Sequence, residues 1–97
     1  MNINDLFQLG NKFMQEGNMP MAVQMWQEII KSVPEYGPAH LNMAHFLRSQ
    51  NNVMAERNEL NIFMDCPLTS RTLDMVQNVK TRLAEIENQL KGQQVAK

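Results

Sequence analysis

Two histidines and one cysteine are the side chains whose chemistry would suit a nucleophile, a base or a metal ligand. His40 and His45 are five positions apart, so on a helix they do not share a face as metal ligands spaced by four would. Cys66 is distant in sequence from both, and a catalytic couple with His45 stays a bare alternative. Cys66 is more simply a small buried residue beside a helix-ending proline. We expect no catalytic residues, no metal and no cofactor, and so no enzyme.

The composition is that of an ordinary globular protein and limits the classes of partner. Its 97 residues allow one domain, with 43% hydrophobic and 20% charged residues. A formal net charge of -1 provides no field for a phosphate backbone or an anionic membrane. The sequence shows no secretory signal, no cysteine pair and no apolar run near the roughly 20 residues that span a bilayer. We therefore expect a cytoplasmic protein that binds neither nucleic acid nor membrane.

Apolar residues recur at helical spacing in five segments, separated by turn residues. Gly17-Asn18-Met19-Pro20 predicts a tight reversal, Pro34 with Gly37-Pro38 a second break, and Asn51-Asn52 a third turn. Thr69 or Ser70 is the expected cap of a long last helix. The predicted helices cover 3–16, about 20–31, about 39–50, a segment through Phe63 and Met64, and a segment ending near Leu90.

The chain compared with itself shows a period near 34 residues. Small residues stand where two helices of a hairpin would approach most closely, and large ones where neighbouring hairpins would pack. The first unit reads Leu6-x2-Leu9-Gly10-x2-Phe13, then Ala22-x3-Trp26, then Pro34. On these residues the chain resembles the tetratricopeptide repeat family.

The second unit keeps the pattern in its first helix and departs from it in its second. Ala44 takes the place of Gly10 and Leu47 that of Phe13, within His40-x2-Met43-Ala44-x2-Leu47. A shift of 34 residues from Ala22 and Trp26 lands on Glu56 and Leu60, and Pro67 comes one residue early. Because Ala55 is the nearest small residue, we expect a one-residue change in the turn or a rotated helix there.

The resemblance implies an all-α fold, in which antiparallel helical hairpins stack as a short right-handed superhelix of about five helices. The last helix would be the capping helix that such arrays need. The expected organisation is a single domain over 1–90, with repeat one at about 3–36, repeat two at about 37–68, a capping helix at about 70–90 and a flexible tail at 91–97.

In that family the first helix of each hairpin lines a concave groove that binds a peptide or a helix. Asparagine amides there would bond to a partner's main chain, and Arg48 could pair a carboxylate bidentately. Amides that are merely solvated are an equally weighted alternative. Phe7 replaces a lysine that the family's carboxylate clamp needs, so that binding mode is not expected. The implied groove residues are Asn4, Phe7, Gln8, Asn11, Met14, Gln15, Leu41, Asn42, His45, Arg48 and Ser49.

The function implied is that of a protein–protein interaction module, an adaptor, scaffold or chaperone-like protein. A second hypothesis comes from repeat number: about three repeats are normally needed for stability, and this chain has two and a helix. Its last helix would then complete a neighbouring copy, giving a homo-oligomer.

Overall fold

The computed structural model describes residues 2–67 and 73–95, and every regular element in this part is a helix. The all-α prediction, with helices paired as hairpins, is confirmed. The helices are α1 (Ile3–Gln15), α2 (Met19–Ser32), α3 (Gly37–Ser49), α4 (Val53–Asp65) and α5 (Leu73–Val95).

Asparagine side chains begin three of the helices. Asn2, Asn18 and Asn52 each accept a hydrogen bond from the backbone N–H three residues later, at 2.8, 3.4 and 3.3 Å. The turns before α2 and α4 each contain a residue of positive φ, Gly17 at 80° and Asn51 at 60°. Glycine and asparagine tolerate this conformation best, so both reversals follow from the local sequence.

The two hairpins repeat one another at a spacing of 34 residues. α3 begins and ends 34 positions after α1, α4 begins 34 positions after α2, and Asn51 and Asn52 stand 34 positions after Gly17 and Asn18. α4 alone ends one residue early, which matches the early Pro67. The period seen in the sequence is therefore a period of the backbone.

The expected change of register in the second hairpin is wrong. Glu56 and Leu60 are 1% and 2% exposed, at the positions that Ala22 and Trp26 hold in the first hairpin, whereas Ala55 is only half-buried. Phe63 is buried 34 positions after the buried Ile29. α4 thus keeps the register of α2, and a glutamate takes the place of the small residue.

The core consists of two clusters. Ala22, Trp26, Ile29 and Ala39 form the first, between the hairpins. The second joins α3 and α4 to α5. Of the predicted repeat positions, Gly10, Ala22, Trp26, Ala44 and Leu60 are buried, Leu6, Leu9, Phe13 and Leu47 are half-buried, and Pro34 is exposed between α2 and α3. The second cluster's buried members are Ala44, Leu60, Phe63, Val79 and Ile86.

The last helix is longer than the sequence predicts. Composition places its end near Leu90, with a tail from 91, but α5 continues to Val95. Gly92 is accommodated because one glycine costs a helix only about 1 kcal/mol. The predicted caps Thr69 and Ser70 lie outside the described residues, as do the last two residues of the tail. No helix in the described part is long and apolar enough to cross a bilayer.

Gly10 lies directly against the indole of Trp26. A Cβ at this position would be 2.7 Å from Trp26 Nε1, closer than side chains approach one another, and 3.2 Å from Met25 Cβ, which is also a tight contact. Trp26 is fully buried, so its ring has little room to withdraw. The small residue of the pattern is therefore required by the close packing of α1 on α2.

We expect Gly10→Ala to destabilise the protein by about 1–3 kcal/mol, because the added methyl group overpacks a closed contact. Urea unfolding followed by circular dichroism measures the change. The matched control is Gly92→Ala, where nothing lies within 4 Å of the new Cβ and helix propensity predicts a gain of up to about 1 kcal/mol. Equal stability of Gly10→Ala and the parent protein would contradict the packing described here.

Candidate functional site

One predicted groove residue of α1 contacts one of α3. Asn42 Nδ2 donates to Asn11 Oδ1 at 3.0 Å, and both side chains are half-buried. The ring of Phe7 packs edge-on against Tyr36, with centroids 5.6 Å apart. We call the predicted groove residues of α1 and those of α3 the two stripes. A direct amide–amide hydrogen bond between residues 31 positions apart thus joins them.

The remaining groove residues differ in what they offer a ligand. Asn4, Gln8, Met14 and Gln15 are exposed on α1. The Ser49 hydroxyl donates to the Phe46 carbonyl of its own helix at 2.5 Å, so it can only accept from a partner. The Asn11–Asn42 contact uses one of the two N–H donors of Asn42 and leaves its carbonyl oxygen open. This pair therefore keeps the capacity to bond both polar groups of a peptide unit.

Three of the predicted residues line a pocket that the sequence analysis did not foresee. Helices α3, α4 and α5 enclose about 300 Å³, open to the surface on one side. Leu41, His45 and Arg48 belong to the predicted groove. The other lining residues are Glu56, Leu60, Met75, Asn78, Val79 and Arg82.

A signal for the missed α5 residues was present in the sequence. Met75, Val79 and Arg82 stand 34 positions after Leu41, His45 and Arg48, and each such pair lines the pocket. Extending the period into the last helix would have found them. The apolar spacing by itself predicts only a capping helix there.

A buried carboxylate forms one wall of the pocket. Glu56 receives Arg82 Nε at 2.7 Å on one oxygen and Arg82 Nη2 at 2.9 Å on the other. The Glu56 side chain is 2% exposed and that of Arg82 18%. This bidentate hydrogen bond is the main cause that raises the pKa of Arg82 above its ordinary value. A weaker contact runs from Arg82 Nη1 to Glu85 at 3.4 Å.

The pocket carries one cation that is not neutralised. Arg48 makes no ion pair within the part of the chain that is described. The pKa of the neighbouring His45 is lowered, first by partial burial of the His45 ring and then by the charge of Arg48. Both effects favour the neutral imidazole. Since Glu56 is balanced by Arg82, the pocket has an apolar interior with a positive rim at Arg48.

His40 has a structural position away from this pocket. It is 4% exposed, and its two ring nitrogens are 2.6 Å from Glu59 Oε1 and 2.6 Å from the Pro34 carbonyl oxygen. An ionised Glu59 and the Pro34 carbonyl both accept hydrogen bonds, so the two contacts favour the protonated ring, which donates from both nitrogens. The hydrogen bond to Glu59 is the main cause that raises the pKa of His40. His40 thereby ties the turn after α2 to α3 and α4.

Cys66 is not brought to the pocket that His45 lines. It is buried at the end of α4, where its Sγ donates to the Ile62 carbonyl at 3.2 Å. Among the residues described, no group of three or more His, Cys, Asp or Glu side chains is arranged to hold a metal ion.

Comparison with known proteins adds no relative. No family model, no curated protein and no solved structure matches the chain. The groove and the pocket are therefore interpreted from their own geometry.

Protonation of His40 should make stability fall as pH rises. Because its pKa is raised on folding, the stabilisation is complete below the ordinary value of 6.5 and is lost as pH rises through the folded pKa. Urea midpoints measured from about pH 6 to about pH 9 should decline, and more steeply than in His40→Gln. His45→Gln is the control: its lowered pKa acts below 6.5, so it should leave the slope above neutrality unchanged. Equal slopes in His40→Gln and the parent would contradict the protonated bridge.

Proposed function

We propose that this chain is a tetratricopeptide-like protein–protein interaction module, with an adaptor or chaperone-like role. It binds an extended peptide or a helix of a partner protein along α1 and α3. The observation that carries the proposal is the hydrogen bond between Asn11 and Asn42, which joins the two predicted stripes. The 34-residue repeat of helix bounds and turn conformations supports the family resemblance.

The amides of the two stripes suit the main chain of a peptide better than they suit catalysis. Half-buried amides lose less side-chain entropy on binding than free ones, because the Asn11–Asn42 contact already orders them. Phe7, ordered against Tyr36, adds an aromatic surface beside the amides. The proposal includes no reaction, no cofactor, and no nucleic-acid or membrane partner. A cytoplasmic setting is consistent with the sequence's having one cysteine, which cannot form a disulfide within the chain.

Self-association through α5 is the second candidate, and the length of α5 favours it. This helix has 23 residues where the others have 13 or 14, and no described helix pairs with it as α4 pairs with α3. Half-buried apolar side chains of α5, Val76, Leu83 and Leu90, would gain burial against a second copy.

Affinity capture from a native lysate tests the two candidates together. The bait is the intact protein beside the variant Asn42→Ala/Arg48→Glu, which removes the amide contact and reverses the free cation. We expect a partner protein that the intact chain retains and the variant loses, identified by mass spectrometry.

The matched control is Asn61→Ala/Arg57→Glu, with both changes on α4, and it should retain the partner. Circular dichroism must show all three proteins folded. Equal retention by the groove variant would contradict the groove, and recovery of this chain alone would favour self-association.

A further inference from the structure

We infer that the pocket between α3, α4 and α5 receives an aliphatic side chain of the partner's extended segment, and that the acidic side chain two positions along, on the same face of that segment, meets Arg48 at the pocket mouth. This inference rests on the proposed function and names the chemistry of the segment that the groove would select.

The interior of the pocket is aliphatic. Leu60 and Val79, each 2% exposed, form its deepest part, and Leu41 and Met75 are half-buried beside them. A volume of about 300 Å³ is at the lower limit for ligand pockets. That space suits one aliphatic side chain, so the acidic group must lie at the mouth and the rest of the ligand outside.

The charge at the rim selects a carboxylate. Glu56 has both oxygens bonded to Arg82, so it does not compete for a further cation. Arg48 has no ion pair among the described residues, and three of the five N–H donors of Arg82 are in use. An acidic group at the mouth would meet the Arg48 guanidinium, whereas a basic one would be repelled.

The location of the pocket favours a peptide over a free amphipathic acid. Leu41 and His45 line the pocket, and they stand one position before and three positions after Asn42 on α3. Asn42 bonds to Asn11 on α1. A main chain held by this amide pair would therefore pass directly beside the pocket mouth. A free fatty acid would use the pocket and leave the amide pair without a role.

The test is titration of the intact, ¹⁵N-labelled protein with blocked peptides on a neutral Gly-Ser frame, followed by amide chemical shifts. The test peptides carry the two side chains two positions apart, as Leu-Gly-Glu, Leu-Gly-Gln, Ala-Gly-Glu and Leu-Gly-Lys, and are called the Leu-Glu, Leu-Gln, Ala-Glu and Leu-Lys peptides after those two residues. Sodium octanoate is a separate arm. We expect the Leu-Glu peptide to bind best, shifting signals near Leu41, Arg48 and Met75. The Leu-Gln peptide should bind about fivefold more weakly, as expected for loss of a partly exposed ion pair.

Arg48→Gln should remove the difference in affinity between the Leu-Glu and Leu-Gln peptides. The control is Arg57→Gln, which changes an arginine of α4 that is paired to Glu87 and should preserve that difference. Equal binding of all four peptides, shifts confined to residues away from the pocket, or saturation by octanoate alone would overturn the inference. Such a result leaves the proposed function standing if the lysate partner is still lost by the groove variant, and the two failures are therefore distinguishable.

Discussion

A buried carboxylate sets the strongest constraint on this fold. Glu56 is 1% exposed at the position where the first hairpin has Ala22, and an unpaired charge there would cost several kcal/mol. Arg82 supplies the countercharge from α5 through two short hydrogen bonds. Val79 and Ile86 lie three positions before and four after Arg82, on the same helix face, so the ion pair also fixes which apolar side chains of α5 enter the core.

The same pairing gives the pocket its character. Arg48 and Arg82 are equivalent under the 34-residue period, but only Arg82 has a buried acidic partner. Arg48 has no ion pair among the described residues and lies beside aliphatic side chains of the pocket. In the first hairpin Trp26 stands at the position of Leu60, and its indole closes on Gly10. The replacement of Ala22 by Glu56 and of Trp26 by Leu60 thus distinguishes the cores of the two hairpins.

Helix number, the turns and the period follow from local patterns, and the sequence was sufficient to predict them. Asparagine caps, positive-φ turn residues and apolar spacing act within a few residues, so they can be recognised without tertiary information. The register of α4 could not be predicted, because the burial of Glu56 depends on Arg82, 26 positions later. The sequence places His40 at a repeat position. It does not predict the bridge from Pro34 through His40 to Glu59, because three separate segments must meet to form it.

Amide hydrogen exchange along α5 is the most direct test of the ion pair. In Arg82→Met the unpaired Glu56 should cost about 3–5 kcal/mol, and α5 should lose protection before α1 and α2 do. The double variant Glu56→Ala/Arg82→Met has alanine at the position that Ala22 holds in the first hairpin. It should recover most of the lost stability and of the lost protection in α5. Unchanged protection of α5 in Arg82→Met, or a double variant no better protected than the single one, would contradict the account.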